Sequence, residues 1–149
     1  MTLPDLLARS PAQLNAMFSA SPAGPIPAGD SIGEAIVFPG SLWSKLIAGL
    51  VHGLIWQGKV FTPNPDGDGA TLQNKILPIG VHEIVARVYK QASWCDGKEC
   101  IVLDYSKTSL LARPIRDEIR LVSADDRIYL GKVWWGKKEL IGFALRFPS

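Results

Sequence analysis

The stretch RPIRDEIRLV, residues 113–122, decides the fold because, read as a β-strand, it separates its residues onto two different faces. In a strand, Ile115, Asp117 and Ile119 lie on one face, because successive side chains point to opposite sides. A carboxylate between two isoleucines on an apolar face is unusual, since charged side chains are seldom buried without a partner. Asp117 is therefore the first candidate for a functional residue.

The period of two continues through most of the chain after residue 57. We predict short strands in GKVFTP, in CIVLDYS and in ARPIRDEIRLV, and a hairpin of RIYLGKVWW and ELIGFALRF around GKK. TLQNKILPIG indicates an irregular strand or a connection. VHEIVARVYKQASW, residues 81–94, also fits a helix, but its β-branched residues favour a strand.

The first 56 residues indicate helices and loops. LPDLLARSPAQLNAMF predicts one or two short helices, with Ser10 as N-cap and Pro11 at the first helical position. GSLWSKLIAGLVHGLIW, residues 40–56, repeats its apolar residues at helical spacing and predicts the clearest helix. The segment between them is rich in proline and glycine and leaves room for one short strand at EAIVF.

These elements predict a single α+β domain over residues 1–149. A helical and loop part, residues 1–56, precedes antiparallel barrel strands in residues 57–149. A meander of this length is expected to close into a barrel, because closure removes exposed strand edges. A small up-and-down barrel of the lipocalin-like kind has room for one small ligand.

Short motifs in the chain resemble the GXWXG-type proteins with a C-terminal domain of unknown function. The similarity lies in the W-x-G-K-x-F element, the P-I-x-D segment, a glycine-containing strand and a final aromatic strand. Here the matching residues are Trp56, Gly58, Lys59, Phe61, Pro114, Ile115, Asp117, Gly131, Phe143, Leu145 and Arg146. The resemblance implies a lipocalin-like, or calycin-like, barrel and implies no particular reaction.

Composition limits the classes of partner. The net charge is +2 and no block of basic residues occurs, so nucleic acid is not an expected partner. We find neither a secretory signal nor an apolar run long enough to span a bilayer, and we predict a cytoplasmic protein. The oligomeric state, including a homodimer, stays open.

No metal or cofactor is expected. The chain has two cysteines, Cys95 and Cys100, and two histidines, His52 and His82, which is a poor set for a zinc site. The cysteines flank a hairpin turn and would face each other, but a reducing cytosol favours two free thiols. Each histidine is expected to be structural, because no catalytic partner is visible at a suitable spacing.

Two interpretations of Asp117 stay open. It can line the barrel cavity, where it binds a polar ligand group or acts as a general acid or base. Alternatively, it forms an ion pair at a barrel end, with Arg113 as the obvious partner. The opposite face of the strand is predicted to be a solvated charged surface, or else an anion site of two arginines. That face carries Arg116, Glu118 and Arg120.

The other candidates are aromatic or basic residues near predicted strands. Trp56 is expected to close one barrel end, and Lys59 can stack over a neighbouring ring. Interior tyrosine hydroxyls would be natural ligand donors, and Trp134 and Trp135 must face opposite sides. The full set of predicted ligand-binding residues is Trp56, Lys59, Tyr105, Arg113, Asp117 and Tyr129.

Three functions follow from this arrangement. The first is a binding protein that encloses a hydrophobic small molecule in a barrel cavity. The second is a cofactor-free enzyme, such as an isomerase, cyclase or hydrolase, with Asp117 as general acid or base. The third is an interaction protein with a filled barrel and a working surface near Trp134 or Trp135.

Overall fold

The computed structural model describes residues 1–36, 55–77, 84–109 and 112–148, with residues 55–57 and 75–77 described by their backbone. Two short helices come first, α1 (Leu3–Leu7) and α2 (Pro11–Ala20). Each begins with a capping box, formed by Thr2 and Asp5 in α1 and by Ser10 and Gln13 in α2. The predicted N-cap at Ser10 is confirmed.

Nine antiparallel strands follow the helices in one sheet. They are β1 (Gly29–Asp30), β2 (Ile32–Ile36), β3 (Ile55–Pro63), β4 (Ala70–Leu77), β5 (Val85–Ala92), β6 (Glu99–Asp104), β7 (Ile115–Ser123), β8 (Ile128–Trp135) and β9 (Lys138–Arg146). From β3 to β9 each strand pairs with the next strand along the chain. The predicted α+β fold, with N-terminal helices and an antiparallel barrel, is therefore confirmed.

The sheet curls into a nearly closed barrel because one short segment pairs with both of its ends. β1 pairs with β3, β2 pairs with β9, and only Ser31 separates β1 from β2. The Ser31 backbone N–H and hydroxyl both donate to the Lys59 carbonyl, and the Lys59 N–H donates to the Ser31 hydroxyl. Both edges of the sheet are thereby covered.

Gly58 makes this closure possible. Its φ is +135°, and a Cβ on it would lie 2.3 Å from the backbone oxygen of Ser31. A larger residue would therefore collide with the segment that closes the barrel. The pairing of β3 with β4 also shifts in register between Trp56 and Gly58, as at a β-bulge.

The two faces of the sheet bury different apolar clusters. The interior cluster includes the large side chains of Phe61, Leu72, Ile101, Leu103, Ile119, Tyr129, Phe143, Leu145 and Phe147. The helices cover the outer face, where Leu6, Leu14 and Phe18 pack against Leu130 and Ala144. Within β7 this alternation puts Ile119 inside the barrel, as the sequence predicts.

The outer face of β7 corrects one prediction. Arg116, Glu118 and Arg120 were expected on a solvated surface, but the Glu118 and Arg120 side chains are fully buried. Arg116 donates to Glu118, so these residues form internal ion pairs and not a free anion site. The cause is helix α2, which covers this face, together with the loop from Ser93 to Lys98.

Arg120 shows how the outer face is neutralised. Its guanidinium makes a bidentate pair with Asp96, with both N–O distances 2.6 Å, and it also donates to the carbonyl of Phe18. The guanidinium lies 4.6 Å from the centroid of the Phe18 ring. A buried arginine is stable here because every nearby group accepts a hydrogen bond or packs against its face.

Other predictions from the sequence have mixed outcomes. Residues 81–94 do contain a strand, β5, and the cysteines are free, Cys95 exposed and Cys100 buried. The two do not face each other, because Cys100 pairs with Gln91.

Most of the helix predicted at residues 40–56 lies outside the described residues, and its end at Ile55 and Trp56 belongs to β3. The first three residues of the strand predicted at EAIVF belong to β2, and the last two lie outside the described residues.

Candidate functional site

A buried polar cluster lies inside the barrel, formed by Lys59, Asn74, Tyr105 and Asp117. Lys59 is in β3, Asn74 in β4 and Asp117 in β7, while Tyr105 follows the last residue of β6. Lys59 and Asp117 are each 5% exposed in their side chains, and Tyr105 is 3% exposed. Residues that are far apart in sequence therefore meet beside the apolar side chains of the interior cluster.

Lys59 is the centre of this cluster. Its ammonium donates to the amide oxygen of Asn74 at 2.8 Å, to the Tyr105 hydroxyl at 2.8 Å and to Asp117 Oδ2 at 3.0 Å. The Nζ atom also lies 5.2 Å from the centroid of the Phe143 ring. The ammonium is thus held by one carboxylate, two neutral oxygens and an aromatic face, which together offset the cost of its burial.

The walls of the barrel explain why Lys59 meets Asp117. Because β1 and β2 share one position in the wall, the barrel has eight positions, and β3 and β7 are four positions apart. Strands half a turn apart face each other across the interior. The Lys59 side chain therefore extends across the barrel to Asp117 on the opposite wall.

Tyr105 links the two charged residues. Its hydroxyl accepts from Lys59 and from the Asn74 amide, and it lies 3.1 Å from Asp117 Oδ2, to which it can donate. Burial and the charge of Asp117 raise the pKa of Tyr105 to about 12, although Lys59 and Asn74 act in the opposite direction. Tyr105 is consequently a neutral donor at physiological pH.

The ammonium of Lys59 remains charged for a different reason. Burial disfavours the charged form, but attraction to Tyr105 and Asp117 and the hydrogen bonds to both raise its pKa above the ordinary value. Lys59 and Asp117 therefore act as an ion pair within the low-dielectric interior. The second oxygen of Asp117, Oδ1, is buried and has no hydrogen-bond partner.

Two of the remaining predicted site residues lie away from this cluster. Tyr129 belongs to the interior but donates to the carbonyl of Pro25, and it pairs with Leu121, four residues along β7 from Asp117. Arg113 is exposed just before β7, and the partner of Asp117 is Lys59. The alternative of an Arg113–Asp117 pair at the barrel end is therefore not the observed pairing.

Trp56 was predicted as a site residue from the sequence, whereas Asn74 was not. The backbone of Trp56 pairs with Ile76, but its side chain lies outside the described residues. Asn74 was missed, although a signal for it exists. It follows Leu72 by two positions, so it falls on the same inward face of β4.

Two tryptophan side chains are exposed among the described residues. Trp135 is 48% exposed and Trp94 is 40% exposed, while Trp134 is buried against Trp94, with ring centroids 6.0 Å apart. The prediction that one of the adjacent tryptophans would be exposed is met by Trp135. The Trp94 ring lies near two cations, since the Arg116 guanidinium is 4.3 Å from its centroid and Lys137 Nζ is 5.5 Å away.

Two surface pockets lie outside the barrel. One, of about 650 Å³, lies beside the N-terminus and the segment from Arg146 to Pro148. Another, of about 250 Å³, lies between α2 and strands β8 and β9.

The described residues contain no group of histidine, cysteine, aspartate or glutamate side chains that could hold a metal ion. Within the same residues, no helix has the length and apolar character needed to cross a membrane.

Comparisons with known proteins bear on the fold. No known protein family and no curated protein matches the chain. A crystal structure of a protein from Thermomonospora curvata is similar, with a TM-score of 0.57 and 19% sequence identity. The similarity covers 95% of this chain and 89% of that one. At this identity it shows that the two chains share a fold.

Proposed function

We propose that the protein binds a small, mainly apolar molecule inside its barrel, with the Lys59–Asp117–Tyr105 cluster as the polar anchor. The observation that carries the proposal is the buried Asp117 carboxylate, whose Oδ1 atom has no hydrogen-bond partner. A barrel of this size is compatible with one small ligand. An apolar wall with a few convergent polar groups is the usual composition of such a site.

The energetics of the cluster support a ligand. A buried ion pair contributes little to stability, because desolvation offsets much of the attraction between the charges. An unpaired buried acceptor costs a further 1–3 kcal/mol or so, and native interiors contain few of them. A ligand that donates to Oδ1 would remove this cost, and its binding would gain from doing so.

Other features of the proposal stay predictions. Trp56, Arg113 and Tyr129 are proposed as ligand contacts from the sequence, and a cytoplasmic location and a homodimer are proposed with them. Membership of the GXWXG-type family also stays a prediction, because no family model matches the chain. None of these is needed for the ligand site at Asp117.

Native mass spectrometry of the purified protein tests the proposal first, followed by denaturing extraction of whatever is bound. We expect a co-purified apolar molecule, or else binding of the uncharged probe Nile red with a signal that decanol displaces. In the Lys59→Met, Asp117→Leu double variant, which leaves no buried charge unpaired, decanol should displace Nile red less effectively, whereas Asp125→Asn, a change at an exposed position, should leave the displacement unchanged. A protein that carries no molecule and does not bind the probe contradicts the proposal.

A second candidate function is a cofactor-free enzyme, and the geometry of Asp117 favours it. Lys59 at 3.0 Å and Tyr105 at 3.1 Å both hold Oδ2, so Oδ1 is left to accept a proton from a substrate. The test is incubation of an extracted ligand with the protein in D₂O. Deuterium entering a C–H position with the native protein, but not with the folded Lys59→Met, Asp117→Leu double variant, would support catalysis by proton transfer.

A further inference from the structure

We infer that the barrel site selects uncharged ligands that donate a hydrogen bond, such as apolar alcohols, phenols or N–H amides, over carboxylates and over acceptors such as ethers or ketones. The inference rests on the proposed function, because it names the chemical class that the same site would bind. Its basis is a count of the donors and acceptors in the cluster around Asp117.

The donors of the cluster are already used. A lysine ammonium has three N–H donors, and those of Lys59 reach Asn74, Tyr105 and Asp117. The two N–H donors of the Asn74 amide reach the Ile84 carbonyl and the Tyr105 hydroxyl. The single O–H donor of Tyr105 is directed to Asp117 Oδ2.

The protonation states make this count valid at neutral pH. The pKa of Tyr105 is raised to about 12, so its hydroxyl keeps its proton. The pKa of Lys59 is raised above its ordinary value, so its ammonium keeps all three. A ligand carbonyl, ether or carboxylate would therefore find no donor in the cluster unless it broke an existing hydrogen bond.

The acceptor side of the cluster is different. Asp117 Oδ2 accepts from Lys59 and lies within reach of the Tyr105 hydroxyl, while Oδ1 is buried and has no partner. This oxygen is the acceptor that a ligand can use without breaking a hydrogen bond of the protein. It belongs to a carboxylate, so a donor that reaches it makes a charge-assisted hydrogen bond.

The charge of the cluster excludes ionic ligands. Lys59 and Asp117 pair at 3.0 Å, so among the described residues the charges of the cluster balance. A ligand ammonium or carboxylate would be a third charge in an interior formed by side chains such as Phe61, Leu103 and Phe143. Its desolvation would be uncompensated, which disfavours both signs of charge.

A series of ligands with the same alkyl chain tests the inference on the native protein. Displacement of Nile red is measured with decanol, decyl methyl ether, decanoate and decylammonium. We expect decanol to bind about 10- to 100-fold more tightly than the ether, the range for one hydrogen bond to a charged group. Decanoate and decylammonium should be weaker than decanol.

A variant that removes the cluster supplies the control. Asp117→Asn alone leaves Lys59 buried without its counter-charge and can fail to fold, so the matched variant is Lys59→Met with Asp117→Leu. This pair of changes replaces two charges by apolar side chains of similar size. It should bind decanol and decyl methyl ether with similar affinity while it still binds Nile red.

The outcomes separate the two proposals. If the native protein binds Nile red but decanol and the ether displace it equally, or if decanoate is preferred, the inference is overturned and the proposed function stands. If Nile red and all four ligands fail to bind, the proposed function itself fails. A preference for decanol that survives in the double variant also overturns the role given to Asp117.

Discussion

The Lys59 ammonium and the Asp117 carboxylate extend from opposite walls of the barrel and meet at 3.0 Å in its interior. This contact joins strands that share no backbone hydrogen bonds, β3 and β7. Within the wall of the barrel, the backbone of Lys59 also bonds to Ser31, where the wall closes. A single residue thus takes part in closing the barrel and in forming its polar centre.

The first prediction concerns the coupling between Lys59 and Asp117. Lys59→Met and Asp117→Leu should each lower the free energy of unfolding by about 3–5 kcal/mol, because each leaves one buried charge unpaired. The double variant should be more stable than either single variant, by about 2 kcal/mol or more. Urea denaturation of the four proteins measures the cycle, and additive losses would show that the two charges do not interact.

The second prediction uses two tyrosines of the same barrel core. Tyr105→Phe should lower the free energy of unfolding by about 1–3 kcal/mol, since it removes an acceptor for Lys59 and a hydroxyl that can donate to Asp117. Tyr129→Phe removes one hydrogen bond to the Pro25 carbonyl and should cost about 1 kcal/mol. Equal losses in the two variants would argue against a special role for the cluster.

The same pair of variants also has an alkaline signature. The pKa of Tyr105 is about 12 in the folded protein and about 10 in an unfolded chain, so the unfolded state loses this proton first. The stability that Tyr105 contributes is complete below pH 10 and falls as the pH rises to 12. Tyr105→Phe should reduce this fall and remove a phenolate absorbance step near pH 12 that Tyr129→Phe retains.

Sequence reasoning identified Asp117 because a local signal marks it, namely a carboxylate on the apolar face of a strand. Asn74 carries the same kind of signal in β4, next to Leu72 on the inward face, and could have been found in the same way. The partner of Asp117 had no such signal, because 58 residues separate it from Lys59. Their meeting depends on how the barrel closes, which strand periodicity does not specify.

On the outer face of β7, the sequence pattern led to a wrong prediction of solvent exposure. Arg116, Glu118 and Arg120 have the pattern of a solvated strand surface, and the pattern alone gives no reason to bury them. Glu118 and Arg120 are buried because the loop from Ser93 to Lys98 and helix α2 cover them. Ser93 and Trp94 donate to Glu118, and the Phe18 carbonyl accepts from Arg120. The position of a helix on a barrel depends on tertiary packing. The amphipathic pattern of α2 shows only that one face of the helix must pack against an apolar surface.

The third prediction concerns Gly131 in β8. A Cβ at this position would lie 2.3–2.6 Å from three atoms of the Phe143 ring, which itself lies near Lys59. Gly131→Ala should therefore displace the ring and lower the free energy of unfolding by about 1–3 kcal/mol. Gly142→Ala is the control, because its nearest neighbour would be 3.4 Å away. If Gly131→Ala left the free energy of unfolding unchanged, the Phe143 ring would have room to move.

The fourth prediction concerns acid stability and the pair on the outer face. Hydrogen bonds from Arg120 hold the pKa of Asp96 at about 2, against an ordinary value of 3.8. Because the folded protein releases this proton more readily than the unfolded chain, the contribution of Asp96 is complete above pH 4 and disappears as the pH falls towards 2. Asp96→Asn should lower the free energy of unfolding by about 1–3 kcal/mol at neutral pH.

Denaturation curves of the native protein and Asp96→Asn at a series of pH values measure this effect. The two proteins should differ at pH 7 and converge as the pH falls from 4 to 2, because protonation of Asp96 removes the charge that the variant already lacks. Asp125→Asn, at an exposed position in the turn between β7 and β8, should follow the native protein throughout. A difference that stayed constant down to pH 2 would mean that Arg120 is held by its carbonyl partners and by the Phe18 ring, with no contribution from the charge of Asp96.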